Sequence, residues 1–249
     1  MPAKPAFADR ALAYLEDTRR PVYSAILVLP FLCVYEAGVW MLGSKTINGG
    51  DAVIRRILGF FSVHTAFASA LVLMVCFLVW QWRTKASFKT EPRKVGLLFF
   101  ESLVLAELLF RFLGWLSLRL PAHQALPAAA PGLPARGHLY ELVLYCGAGV
   151  YEELVFRVLL LSLLILVLTK LFQMEKVQAA VWAVVLGAVL FSLFHYIGPG
   201  ADRLTLNGFL QRSFAGVYFA AIYVTRSFGV AAAAHALYDV RVGLAQMLS

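Results

Sequence analysis

An all-α membrane bundle of seven to eight transmembrane helices is the fold class this sequence predicts, and three observations predict it. The 249 residues are 61% hydrophobic and only 14% charged, where soluble domains average about 45–50% and about 25%. Mean hydropathy is +0.77, and the apolar residues fall in many separate runs. No polar stretch is long enough to form a second domain, so residues 1–249 are expected to make a single membrane domain.

Taken in order, residues 1–21 mix Asp9, Glu16 and Asp17 with Lys4, Arg10, Arg19 and Arg20. They contain no apolar stretch and no cleavage signal, so a cytoplasmic segment is expected there, with the first span directing insertion. A span needs about 20 apolar residues to cross about 30 Å of hydrocarbon. Runs of this kind lie near 22–43, 64–82, 95–118, 139–170, 177–196, 207–225 and 228–247. The fourth is too long for one straight crossing. Gly147 and Gly149 just ahead of Glu152 and Glu153 suggest a kinked helix or two helices meeting at depth. The semi-polar stretch around Asp51, Arg55 and Arg56 suits an interfacial helix. Pro121, Pro127, Pro131 and Pro134 make 121–137 an extramembrane connection. No internal repeat is visible, which weighs against a transporter built from inverted halves.

The formal charge is +8, and in a soluble protein that excess would suggest nucleic acid as a partner. Here many basic residues sit in short loops between apolar runs, as Arg83, Lys85, Lys89, Arg93 and Lys94 do. That is the pattern of a positive-inside signal, so the expected partner is the lipid bilayer and not nucleic acid. With a cytoplasmic N-terminus and one crossing by the fourth run, the inside loops hold twelve Lys and Arg against seven outside. Cys33, Cys76 and Cys146 are odd in number, lie in apolar segments and lack CxxC spacing, so neither a disulfide framework nor a zinc ribbon is indicated.

An ionisable side chain at a helix centre costs roughly 2.5–3.5 kcal/mol on insertion scales, so each one inside a span is a functional candidate. The candidates are Glu36, Glu101, Glu107, Arg111, Glu141, Glu152, Glu153, Arg157, His195, His235, Asp239 and Arg241. Glu153 and Arg157 are four apart, a spacing that pairs them on a helix. Glu152 points about 100° away and is left to face something else. His195 ends the fifth run, and His235 and Asp239 lie four apart on the last, after the small residues Ala231 to Ala234. Two carboxylate groupings, two imidazoles and a guanidinium on three apolar helices supply a general base, a second proton-handling group and oxyanion donors, the parts needed to hydrolyse an amide. No Ser or Cys stands beside a base, so water is the expected nucleophile.

Glu152-Glu153 with Arg157 resembles an EExxxR signature, Phe191 with His195 an FxxxH signature, and His235 with Asp239 an HxxxN/D signature, in that order along the chain. These are the marks of the CPBP family, the CAAX proteases and bacteriocin-processing enzymes, over roughly residues 140–245. The resemblance implies a multi-helix intramembrane endopeptidase. Within it, Glu152 would activate water with help from His195, while Glu153 and Arg157 would brace their helix. His235 and Asp239 would contact the developing oxyanion. Asn is the usual residue at the last position, and an ionised Asp would repel an oxyanion. Asp239 is therefore expected either to be held protonated or, the favoured alternative, to accept from His235 and orient it.

Members of the family are often called metalloproteases, and the five acidic and imidazole side chains offer enough donors for zinc. The spacing is not HExxH, and only His235 and Asp239 stand at i, i+4, so the expected mechanism uses no metal or other cofactor. A transporter or proton-coupled carrier with a buried Glu/His/Arg pathway, or an inactive scaffold of the same fold, are the competing functions. The expected substrate is a membrane-associated protein or peptide, with prenylated tails, peptide precursors and bacterial sorting tails all open. A multi-pass protein of a bacterial inner membrane fits the basic loops and compact length.

Overall fold

The computed structural model describes residues 7–43, 47–65, 67–119, 137–198 and 201–248, and every regular element among them is helical. The Pro-rich connection expected at 121–137 lies outside the described residues except for Gly137. A short amphipathic helix α1 (Phe7–Thr18) leads into α2 (Pro21–Leu42), where Pro21 sits in the first turn, a place that has no hydrogen bond to lose. Gly43, at φ +88°, ends α2. After it come α3 (Gly49–Gly59), α4 (Ala68–Thr84) and α5 (Pro92–Arg119). The expected run at 64–82 begins four residues late because Ser62 and Phe67 take left-handed turn conformations ahead of α4.

The overlong fourth run is one uninterrupted helical rod. It consists of α6 (His138–Gly147), π-helical turns over Ala148–Glu152 and Leu154–Leu160, and α7 (Leu161–Lys170). At 1.5 Å per residue such a rod reaches at most about 50 Å, more than the roughly 30 Å of a bilayer's hydrocarbon. The wide π turns shift the helical phase where Glu152 and Glu153 sit, a distortion that clusters at functional sites. Helices α8 (Lys176–Phe194), α9 (Leu206–Thr225) and α10 (Phe228–Met247) complete the chain. Thr205 caps α9 through Gly208 N at 3.1 Å, and Ser227 caps α10 through Val230 N at 3.3 Å.

Helix α10 is the central element and touches α2, α5, α6, α9 and both π turns. Phe228 through Ala236 are all buried, and the small side chains Ala231 to Ala234 let neighbouring backbones come close. At Gly149 a Cβ would stand 2.5 Å from Ala236 N and 2.7 Å from Ala232 O, so only glycine permits this seating of the π turn on α10.

Two helices, Pro21–Leu42 and Lys176–Phe194, are long and apolar enough to cross a membrane by length and composition, and Ala68–Thr84 is a shorter apolar helix. Only 33% of the apolar window of α8 is buried, so Val177, Val181, Leu186 and Leu190 present an apolar outer face. Other helices carry the ionisable groups, and most of these are absorbed in pairs between helices. Arg226 bonds both oxygens of Glu101, with Nη2 to Oε2 at 2.7 Å, and Tyr14 OH reaches the same carboxylate at 3.3 Å. Glu107 accepts from Arg111 at 2.7 Å and from Arg241 at 3.1 Å. These candidates tie α5 to α10 and to the α9–α10 link.

Candidate active site

The junction between the two π turns holds Glu152 and Glu153. Both are buried, and they face different neighbours. Glu153 is fully enclosed and bridges two elements: Oε2 lies 3.0 Å from Arg157 Nε, and Oε1 accepts from His235 Nδ1 at 2.9 Å. The Arg157 contact is an ion pair whose alignment falls short of a hydrogen bond. Arg157 is 1% exposed and lies over the Phe191 ring at 5.0 Å. A planar cation in that setting is neutralised by its partner and by the ring face.

Phe191 explains why its signature includes an aromatic residue four before the histidine. Its ring packs edge-on against Phe156 at 5.1 Å, His195 at 5.0 Å and His235 at 5.9 Å, and its face carries Arg157. Replacing Phe191 by Ala is expected to cost about 3–5 kcal/mol of stability. A lowered thermal midpoint in detergent, with α-helical content retained below it, is the measurement.

Glu152 is addressed from two sides. Its Oε1 accepts from Asn48 Nδ2 at 3.2 Å, and its Oε2 stands 3.8 Å from His195 Nε2 with no hydrogen-bond partner among the described residues. His195 caps the C-terminus of α8, and its Nδ1 lies 2.9 Å from the Phe191 carbonyl oxygen. A carbonyl can only accept, so Nδ1 carries a proton, and in the neutral form of the ring Nε2 turns a lone pair toward Glu152. Two acceptors confronted across 3.8 Å form a place for a proton donor such as water.

His235 is buried between Phe219, stacked at 4.4 Å and 17°, and Glu153. Asp239 Oδ2 is 3.6 Å from His235 Nε2, beyond hydrogen-bond distance. Here the structure differs from the expectation that Asp239 orients His235. The orienting acceptor is Glu153, across the helix interface, and Asp239 faces the other ring nitrogen. The EExxxR and HxxxD signatures are therefore joined through one carboxylate.

All six residues singled out by spacing, Glu152, Glu153, Arg157, His195, His235 and Asp239, meet in one place. What spacing missed comes from the first half of the chain. Asn48 contacts Glu152, and behind it Tyr35 OH donates to Asp51 Oδ2 at 2.7 Å while Tyr151 OH donates to Glu36 Oε1 at 2.6 Å. The stretch expected to be interfacial forms helix α3, in which Asp51 is wholly buried and bonded to Tyr35 of α2, and the helix packs against both π turns. Asn48-Gly49-Gly50-Asp51 does carry a helix-start signal.

Among the described residues no three His, Cys, Asp or Glu side chains are grouped as the ligands of a metal ion would be. Each imidazole gives one ring nitrogen to a protein acceptor and keeps the other free, which is also how ligating imidazoles are held.

Compared with known protein families, residues 136–241 match the model described as type II CAAX prenyl endopeptidase Rce1-like. The matched region takes in all three signatures, and the resemblance they carry is borne out. No curated protein and no solved structure shows significant similarity to the chain.

Proposed function

We propose that this protein is a multi-pass intramembrane endopeptidase that hydrolyses a peptide bond in a membrane-associated protein or peptide through water activated by Glu152 and His195. The observation that carries this proposal is the facing pair of acceptors, Glu152 Oε2 and His195 Nε2, set beside His235 in an apolar bundle. Water donating to Glu152 loses a proton to it as its oxygen adds to the substrate carbonyl carbon. The carbonyl oxygen gains the electron pair and is stabilised from the α10 side. Collapse of that intermediate breaks the C–N bond, and Glu152 returns the proton to the leaving amine.

His235 has a defined part in this scheme. Its Nδ1 is committed to Glu153, so Nε2 donates to the oxyanion only when both ring nitrogens carry protons. Glu153 and Asp239 flank the ring and balance that charge. An ionised Asp239 then acts through His235 instead of meeting the oxyanion itself.

Seven crossings fit the packing, made by α2, α4, α5, the 138–170 rod, α8, α9 and α10. Arg20 donates to the carbonyls of Ser87 and Lys89, the latter at 2.9 Å, and Arg19 to those of Val224, Thr225 and Arg226. These contacts gather the α1–α2, α4–α5 and α9–α10 links at one end of the bundle, as an N-terminus on the basic, cytoplasmic side requires. A bacterial inner membrane suits such a protein.

The test is reconstitution in liposomes with a prenylated peptide ending in a CAAX tail. Release of the C-terminal peptide, lost in Glu152→Ala, supports the proposal. Ion flux without proteolysis supports a carrier, and neither activity against prenylated tails or whole-membrane C-terminal peptides supports a scaffold.

A further inference from the structure

Asn48 caps α3, a role that Asn, Asp, Ser and Thr fill about equally well in general. In this setting they are not equivalent. The side-chain oxygen of Asn48 accepts from Gly50 N at 2.7 Å, which fixes the orientation of the amide. Its NH₂ group must then point the other way, and Glu152 Oε1 lies there at 3.2 Å. The backbone is held from behind, because Asn48 N donates to Tyr35 OH at 3.0 Å. Gly50 brings the cap this close: a Cβ on it would lie 2.7 Å from Glu152 N. Asp would cap equally well but would set a carboxylate against a carboxylate, and Ser, its one oxygen held at Gly50 N, has no second arm to reach Glu152.

We propose that Asn48 is a positioning residue of the reaction, whose amide holds Glu152 Oε1 so that Oε2 is the oxygen turned to His195 and the water. The inference rests on Glu152 being the base. The other charged groups around Glu152 are Glu153 and Arg157 on its own helix, His195 at the end of α8, and His235 and Asp239 on α10. Glu36, Asp51 and Arg55, the nearby groups of α2 and α3, bond with one another or with Tyr35 and Tyr151. Asn48 is thus the neutral donor on the α3 side of the carboxylate.

The test compares Asn48→Ser and Asn48→Asp with wild type and Glu152→Gln, all as full chains in liposomes on one peptide substrate. Both Asn48 variants keep an N-cap acceptor, so thermal midpoints should stay close to wild type. Losing a hydrogen bond to a charged group should lower kcat roughly 10- to 100-fold in Asn48→Ser with little change in KM. Asn48→Asp should fall further, and the acidic limb of its kcat profile should move to higher pH, because a second carboxylate disfavours the ionised base. Wild-type kcat and pH profile in both variants, alongside an inactive Glu152→Gln, would overturn the role of Asn48 alone. Loss of folded protein in both would assign the side chain to folding and overturn it too. An active Glu152→Gln would overturn the assignment of the base, and this inference with it.

Discussion

Glu152→Gln will abolish peptide release while leaving the protein folded. Gln keeps the shape of Glu, and its amide oxygen can still accept from Asn48 Nδ2, the 3.2 Å contact that holds Oε1. What it lacks is the basicity that takes a proton from water, and removing a general base typically costs 10²-fold or more. The measurement pairs turnover with yield and thermal midpoint in detergent, all against wild type. Activity above about a tenth of wild type would move the base elsewhere. It could not move easily to Glu153, whose two oxygens already face His235 and Arg157 at 2.9 and 3.0 Å. His195, with Nε2 turned toward the same space, would then be the residue to replace.

The six ionisable residues of the three signatures were legible because they are costly in apolar helices and spaced for one face. Their wiring was not. A four-residue spacing made Asp239 the natural acceptor for His235, yet the tertiary contact to Glu153 is 2.9 Å and the local one 3.6 Å. Helical periodicity sees only neighbours on one element, and the π turns at Ala148–Glu152 and Leu154–Leu160 change the phase of that element as well. Gly147 and Gly149 hinted at the irregularity and could not specify its form. The helix runs themselves were predictable to within a few residues because long apolar stretches bounded by Pro, Gly and charged residues favour helices of that length. Asn48 was invisible for a different reason. It sits 104 residues from Glu152, and its sequence context signals a cap with no hint of what the other end of the amide meets. Glu101 and Glu107 looked like site candidates by the same burial logic that found Glu152, and only their pairing with Arg226 and Arg241 removes them.

The Glu153–Arg157 pair allows structure and function to be separated in one experiment. Arg157→Ala leaves the enclosed Glu153 without its cation, and Glu153→Ala leaves Arg157 buried without its anion. Breaking such a pair from one side costs about 3–5 kcal/mol, so each single variant should lose on the order of 10 °C in thermal midpoint. Replacing both partners by apolar residues of similar volume, Glu153→Leu with Arg157→Met, removes the buried charges together and should recover most of that stability. It should not recover activity, because the acceptor that holds His235 Nδ1 at 2.9 Å has gone and the ring loses its aim and a carboxylate that balances its charge. Losing one oxyanion donor in a known protease costs about 2.7–4 kcal/mol, so the double variant should run 10²- to 10³-fold below wild type at wild-type stability. Midpoint and kcat/KM measured on the same four proteins decide it. Near-normal activity in the stable double variant would make Glu153 a packing residue and release His235 from the scheme. A double variant as unstable as the singles would show that the pair is needed for the packing of the π turns on α10.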